Sequence, residues 1–139
     1  MISYEKLKVY QLSLDCVEQC FALLDGPVRG YTELCSQLKR AIVSVALNIA
    51  EGAGKSGFAD KRRYYEIAKG SAMESAAVCD ILYRASMIDD KSHARCKVLL
   101  EEVICMLSRM CMNLEDNVRK EIKGKAKGHG QGQGQGMKF

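Results

Sequence analysis

The sequence predicts an all-α protein, an up-down-up-down antiparallel four-helix bundle, on three observations. The 139 residues include one proline, and the abundant Ala, Leu, Glu, Lys and Met favour helices over strands. Four segments repeat apolar residues at steps of three and four, the spacing of an amphipathic helix. Short connections separate these segments, so consecutive helices are expected to pack antiparallel in one domain over residues 1–122.

The first two predicted helices are bounded by residues that stop helices. The connection Asp25-Gly26-Pro27 cannot extend the first helix, because proline lacks the amide hydrogen that an internal turn donates. The second helix is predicted from about Thr32 to about Glu51 and ends in the glycines of GAGKSG. The apolar positions of the first helix are Leu7, Tyr10, Leu14, Val17, Phe21 and Leu24.

The third predicted helix begins near Phe58, and the fourth follows the connection MIDDKS. Asp89, Asp90 and Ser92 are candidate N-caps of the fourth helix, since their short polar side chains can accept hydrogen bonds from its free amides. One face of the third helix carries Ile67, Ser71, Glu74, Val78, Ile81, Leu82 and Ala85 at helical spacing. One face of the fourth helix carries Leu99, Val103, Met106 and Met110.

Residues 123–139 are predicted to form a disordered C-terminal tail. The segment GKAKGHGQGQGQGMKF holds six of the twelve glycines and almost no apolar residue. It therefore cannot bury enough surface to offset the conformational entropy of ordering.

Polar residues run through the most apolar part of the second predicted helix. At about 100° per residue, Gln37, Ser44, Asn48 and Glu51 return to one side of the helix, and Arg40 lies at its edge. Apolar residues flank this line on both sides, so another subunit is expected to supply part of the cover. The third helix adds two polar residues, and the whole set, the polar seam, is Gln37, Arg40, Ser44, Asn48, Glu51, Ser71 and Glu74.

The polar seam is predicted to be a structural network, because buried polar groups need hydrogen-bonding partners. We expect Arg40 to pair with Glu51 or Glu74, and we expect Gln37 and Asn48 to bridge helices. A binding or catalytic pocket along the seam is the alternative.

One glycine-rich stretch lacks the context that nucleotide binding requires. Gly52, Gly54 and Gly57 match the GxGxxG spacing, and GKS resembles the end of a phosphate-binding loop. Both motifs need a strand before the glycines, whereas a helix is predicted there, so a helix end and a turn are favoured. No cofactor is predicted.

No metal site or catalytic centre is predicted either. The two histidines, His93 and His129, lack the Glu-x-x-His spacing of di-iron bundles. Cys16 and Cys20 lie one helical turn apart, but two thiolates without further ligands hold zinc poorly. The seven cysteines are therefore interpreted as reduced and mostly buried. No nucleophile with a partnered base is visible, so an enzyme is the least supported function.

The sequence also predicts a cytoplasmic protein that does not enter a membrane. No cleavable apolar segment opens the chain, and no apolar run reaches the roughly 20 residues that span a bilayer.

Basic charge concentrates in two regions of the chain. Residues 39–69 hold seven basic against three acidic residues, and residues 119–139 hold six against one. Such clusters predict phosphate contacts with RNA or DNA, without base readout because aromatic residues make up only 6% of the chain. The candidate contacts are Lys55, Lys61, Arg62, Arg63, Lys123, Lys125 and Lys127.

The stretch SQLKRAIVSVALNIAEGAG, followed by YYEIAKGSAMES, closely resembles the bacterial four-helix bundle proteins called 23S rRNA intervening-sequence proteins. The likeness extends from the opening YEKLKVYQLSLDCV to about Leu114. Its two motifs cover Ser36, Gln37, Arg40, Ala41, Ser44, Asn48, Ile49, Ala50, Glu51 and Gly52, and then Ala68, Gly70, Ser71 and Glu74.

The resemblance implies a four-helix bundle that assembles as a ring-like homopentamer and has no established enzymatic activity. It also implies kinship with the accessory proteins of diversity-generating retroelements, pentamers that bind a reverse transcriptase and nucleic acid. Two functions therefore stay open, a nucleic-acid-associated assembly and a protein adaptor such as an accessory subunit for a reverse transcriptase. The seven cysteines and the Gly-Gln tail depart from the family, so the resemblance implies no role for them.

Overall fold

A computed structural model describes residues 1–25 and 31–134, with side chains as far as Gly128. The described residues confirm the four-helix prediction, with α1 at Lys8–Leu24, α2 at Thr32–Ala53, α3 at Phe58–Arg84 and α4 at Asp90–Gly134, after a 3₁₀ turn at Ser3–Lys6. Each helix packs against its neighbours in sequence, and α1 also packs against α4, which closes the bundle. None of the described helices has an apolar stretch long enough to cross a membrane. The predicted turn at Gly26-Pro27 lies outside the described residues.

Apolar residues at helical spacing fill the space between the four helices. On α2 the fully buried residues follow steps of four, three and four, which return to one face of the helix. Burying one such side chain stabilises the fold by about 1.5–3 kcal/mol. The largest fully buried side chains among the described residues are Val9 of α1, Leu38, Ile42, Val45 and Ile49 of α2, Leu82 of α3, and Leu100, Val103 and Leu107 of α4.

The end of α2 approaches α3 closely at Gly52. A Cβ atom added there would lie 2.6 Å from Tyr65 Cε1 and 3.1 Å from Tyr64 Cβ, so a larger residue would have to displace a ring. The helix ends one residue later, and Gly54 caps it. The stretch GAGKSG is therefore a helix end and a turn, as the sequence predicts, and its first glycine allows the close approach.

The α3 helix ends in a Schellman motif built on a serine. Ser86 has φ of 59°, in the left-handed region that glycine usually occupies. The amide of Met87 donates to the Leu82 carbonyl at 2.9 Å, and the amide of Ser86 donates to the Tyr83 carbonyl at 2.9 Å. These two bonds satisfy carbonyls that the last turn of the helix leaves free.

Asp89 is the N-cap residue among the three candidates for the start of α4. Its Oδ1 atom accepts a hydrogen bond of 2.8 Å from the amide of Ser92, in the first turn of the helix. The Asp90 side chain has a different partner, because its carboxylate accepts the Tyr83 hydroxyl at 2.7 Å.

The α4 helix continues past the predicted start of the tail at Lys123 and ends at Gly134. All described side chains from Arg119 to Lys127 are exposed, so this extension has little packing. It stays helical because it propagates from a packed helix and needs no nucleation of its own. The helix therefore extends into the segment predicted as the tail, and residues 135–139 lie outside the described chain.

Candidate functional site

The basic residues named from the sequence gather at one end of the bundle, here called the basic end. There α2 finishes, α3 begins and α4 leaves the bundle, because α3 runs antiparallel to both neighbours. A groove of about 520 Å³ lies between α3 and α4 at this end, and it is lined by Arg62, Arg63 and Val118. The basic end comprises Lys55, Lys61, Arg62, Arg63, Lys123, Lys125 and Lys127.

Lys61 is engaged inside the fold rather than directed at a ligand. Its Nζ atom donates to the carbonyls of Gly52 at 3.3 Å and Ala53 at 3.0 Å. These carbonyls belong to the last turn of α2, where a cation also interacts favourably with the helix dipole. This capping role accounts for the positive charge of Lys61 at the start of α3, so no bound phosphate is needed to explain it.

Tyr64 holds two of the predicted cations close together, and the sequence analysis did not identify it. Lys55 Nζ lies 5.1 Å and the Arg63 guanidinium carbon 4.7 Å from the centre of the Tyr64 ring. Both are within cation–π range. Their ion pairs with acids are long, 3.8 Å from Lys55 to Glu51 and 4.0 Å from Arg63 to Asp60, so both cations keep capacity for a phosphate.

The extension of α4 separates the three tail lysines by helix face. Lys123 and Lys127 are four residues apart and share one side of the helix with Lys120, whereas Lys125 lies on the opposite side. At 1.5 Å per residue, residues 119–134 extend about 24 Å. Lys120, Lys123 and Lys127 therefore form an exposed stripe that leads away from the basic end, and Lys125 is exposed on the other side of the helix.

The middle of the polar seam is hydrogen-bonded between α2 and α3. Ser44 Oγ and Ser71 Oγ lie 2.9 Å apart, and Gln37 Nε2 donates to Glu74 Oε1 at 3.1 Å. The prediction that Asn48 bridges two helices is wrong. Its Nδ2 donates within α2, to the Ser44 carbonyl at 2.8 Å and to the Ser44 hydroxyl at 3.0 Å.

The predicted ion pair of Arg40 is wrong for the single chain. Arg40 is exposed and forms no ion pair with any residue that the structure describes. Glu51 instead faces Lys55 one turn later, and Glu74 accepts from Gln37. The reason is position, since Arg40 lies at the solvent edge of α2, away from the packed side that carries Ala41 and Ile42.

Apolar residues beside the polar seam are exposed on the outer face of α2 and α3. Leu47 lies between Ser44 and Glu51 on α2 and is 61% exposed. Ile67 and Ile81 flank Glu74 at spacings of seven residues, and both are exposed. We call this surface, with Gly70, the outer face. A Cβ added at Gly70 would meet no atom within 4 Å, so this chain's own packing does not require a glycine in mid-helix.

His93 has a carboxylate partner that the sequence analysis missed. Its Nε2 atom lies 2.8 Å from Asp80 Oδ1, and its ring stacks on Tyr83 at 4.2 Å. The hydrogen bond with His93, together with those from Lys97, lowers the pKa of Asp80. Among the described residues no hydroxyl or thiol is hydrogen-bonded to the ring. The side chain of His129 lies outside the described residues.

Three cysteines that are distant in sequence meet inside the bundle. The Sγ atoms of Cys20, Cys79 and Cys96 all lie within 4.8 Å of one another. Hydrogen bonds from Cys20 and Cys79 lower the pKa of Cys96, whereas hydrogen bonds with Cys79 and then Cys96 raise the pKa of Cys20. In the sequence only Cys16 and Cys20 suggest a pair, and this cluster is not visible there because its members come from three helices.

Comparison with known proteins agrees with the fold and with the motifs in α2 and α3. No curated protein matches the sequence at a significant level. The model of the family described as 23S rRNA-intervening sequence protein matches residues 5–109, from the 3₁₀ turn into α4. The match covers well over half of the chain and includes the whole polar seam. The chain therefore belongs to the 23S rRNA-intervening sequence protein family.

Proposed function

We propose that this chain forms a non-enzymatic homo-oligomer that binds RNA or DNA through phosphate contacts at the basic end. The supporting observation is that Lys55 of the turn after α2, Arg62 and Arg63 of α3, and the α4 lysines lie at the same end of the bundle. The ion pairs of Lys55 and Arg63 with acids are long. Lys61 is the exception, because it caps α2. Binding of this kind neutralises phosphates and releases counterions, so it is independent of base sequence and sensitive to salt.

The binding experiment uses two variants that remove the same charge at opposite ends of the bundle. Labelled 23S rRNA fragments and unrelated RNA are titrated at two salt concentrations. Arg62→Gln/Arg63→Gln should weaken binding to both RNAs and flatten the salt dependence, whose slope is about −0.9 per phosphate contact on duplex DNA and about −0.7 on single strands. The matched control, Arg84→Gln/Lys91→Gln, changes exposed residues at the other end.

The two outcomes of this titration separate local binding from a net-charge effect. Near-wild-type affinity in the control with a clear loss in the test variant supports the basic end. An equal loss in both variants would contradict it. A Lys123→Gln/Lys125→Gln/Lys127→Gln variant then measures what the lysines of the α4 extension contribute. All three are exposed, so the changes leave the bundle core as it is.

The proposed assembly uses the outer face, with five copies in a ring as the family resemblance implies. Exposed Leu47, Ile67 and Ile81 lie beside polar groups, as is usual where subunits meet. Gly70 adds support, because an exposed mid-helix glycine costs about 1 kcal/mol relative to alanine and has no packing role within the chain. A ring would repeat the basic end, so weak sites could act together on one polyanion.

Light scattering tests the assembly. The wild-type chain should show five times the mass of its 15.4 kDa protomer. Leu47→Glu should dissociate the ring by placing a charge in the interface, whereas Val98→Glu, a change at an equally exposed residue of α4, should not. A stable wild-type monomer at micromolar concentration would overturn the proposal.

The alternative function is a protein adaptor, such as an accessory subunit for a reverse transcriptase. One observation favours it, a mostly apolar groove of about 500 Å³ on α4 lined by Lys91, Ala94, Arg95, Val98 and Leu99. If the oligomer is intact but binds no RNA at low salt, the adaptor function is favoured over nucleic-acid binding. For either function we propose a cytoplasmic location, which suits the absence of disulfides among the described cysteines.

A further inference from the structure

The cysteine cluster places three soft ligand atoms at one point of the core. Cys20 comes from α1, Cys79 from α3 and Cys96 from α4, and their exposed fractions are 0%, 0% and 2%. The three sulfurs lie within 4.8 Å of one another, and none is in a disulfide. Each thiol is therefore held by a different helix, and the arrangement exists only when the bundle is folded.

The spacing of the sulfurs suits a metal ion bound in their plane. A metal about 2.3 Å from each of three sulfurs, at equal angles, sets the sulfurs about 4 Å apart. The cluster meets this requirement without a change in the backbone, because all three separations are already below 4.8 Å.

The number and type of ligands select among metals. Structural zinc sites take four ligands, and no histidine, carboxylate or further thiol of the described residues joins the three sulfurs. Cys16, one turn before Cys20, is buried but is not part of the group. Thiolates select soft ions, and monovalent copper accepts three of them without a fourth ligand.

A cavity that Cys96 lines adjoins the site and includes a positively charged residue. A cavity of about 200 Å³ between α1 and α4 is lined by Cys96 together with Gln19, Ser92 and Arg95. Arg95 lines the same cavity as Cys96, so its guanidinium can offset part of the negative charge that three thiolates around a monovalent ion would carry.

We propose that Cys20, Cys79 and Cys96 bind one monovalent copper ion per chain in a three-sulfur site. Each thiol that becomes a ligand releases one proton, and the copper stays monovalent throughout, so no oxidant or reductant takes part. Because the ligands come from three helices, binding also stabilises the bundle.

The test is an anaerobic titration of the reduced full-length chain with Cu(I) in competition with a coloured Cu(I) chelator. One ion per chain, three sulfur ligands by X-ray absorption and a higher melting temperature are expected. Cys79→Ala should weaken binding by more than about 100-fold, beyond the usual effect of losing a supporting group outside the ligand set. Cys111→Ala, which removes a buried thiol outside the cluster, should bind as the wild type does.

The remaining variants keep the proposal open to contradiction if Cys79→Ala folds poorly. Cys79→Ser keeps the shape of the side chain at a slightly smaller volume, and should lose copper affinity while retaining the helical circular dichroism. Cys16→Ala should leave both the affinity and the three-sulfur shell unchanged. Equal copper binding by the Cys79 and Cys111 variants, a four-sulfur shell, or preferential binding of zinc over Cu(I) would each overturn the site as proposed.

Discussion

Ser44 Oγ and Ser71 Oγ lie 2.9 Å apart and join α2 to α3 through a hydrogen bond between two hydroxyl groups. Asn48 donates to the same Ser44 oxygen at 3.0 Å, and Ser75 donates to the Ser71 carbonyl at 2.8 Å. The polar seam therefore has a satisfied centre inside one chain, whereas Arg40 and Glu51 at its edges are exposed.

Removing one hydroxyl of this pair should cost more than half of the free energy of unfolding that is lost when both hydroxyls are removed. Ser71→Ala leaves Ser44 with one partner fewer in a half-buried position, so a loss of about 1 kcal/mol in the free energy of unfolding is expected. Ser44→Ala/Ser71→Ala should cost less than the sum of the single changes, because no hydroxyl is left without its partner. Urea unfolding of the four proteins measures the coupling, and strictly additive losses would refute it.

Gly52 should not tolerate alanine. The added Cβ would lie 2.6 Å from the buried Tyr65 ring, so Gly52→Ala is expected to lower the free energy of unfolding by about 1–3 kcal/mol. Gly54→Ala is the matched control, since its Cβ would find no atom closer than 3.5 Å and its φ of −80° suits any residue. Equal thermal stability of the two variants would show that the Tyr65 ring can move aside.

Ser86→Gly should stabilise the protein. A residue with a side chain in the left-handed region costs roughly 1–2 kcal/mol, and glycine avoids that cost while losing more backbone entropy on folding. The expected net gain is up to about 1 kcal/mol. Ser86→Ala keeps the strain and should give no gain. Melting temperatures compare the two variants, and a lower value for Ser86→Gly would contradict the strain argument.

Lys61 and Arg63 should behave in opposite ways when each is changed to methionine. Lys61→Met removes the cap on α2 and should lower stability by about 0.3–1 kcal/mol with little effect on RNA affinity. Arg63→Met should weaken RNA binding and leave the melting temperature nearly unchanged, because its ion pair with Asp60 is long and exposed. If Lys61→Met lost as much RNA affinity as Arg63→Met at full stability, the capping role would be excluded.

The Asp89 cap should depend on pH. The Ser92 amide lowers the pKa of Asp89, so its folded pKa lies below the unfolded value of about 3.9. The stabilisation is therefore present above the unfolded pKa and is lost as pH falls through the folded pKa. The difference in melting temperature between the wild type and Asp89→Ala should shrink as the pH falls from 7 to about 3. Asp89→Asn, which caps without ionising, should show no such trend.

The sequence by itself determined the four helices, their ends and the family. Helical period, the three N-cap candidates before α4 and the glycines at the end of α2 act over a few residues, so they can be recognised without knowing what packs against them. The structure then selects Asp89 as the N-cap. The family motifs lie in the same continuous segments. Among the helices, α4 extends past the predicted start of the tail, because a glycine-rich end can propagate a helix that already exists.

Only the tertiary structure decided which side chains meet. One step along a helix turns a side chain by about 100°, so the partners of Arg40 and Gln37 depend on how α2 is rotated against α3. Lys61 became a cap because α2 ends beside it, and Tyr64 gained two cations for a similar reason. The cysteines of α1, α3 and α4 form a cluster because three separate helices direct them to one point, which no spacing within a segment encodes.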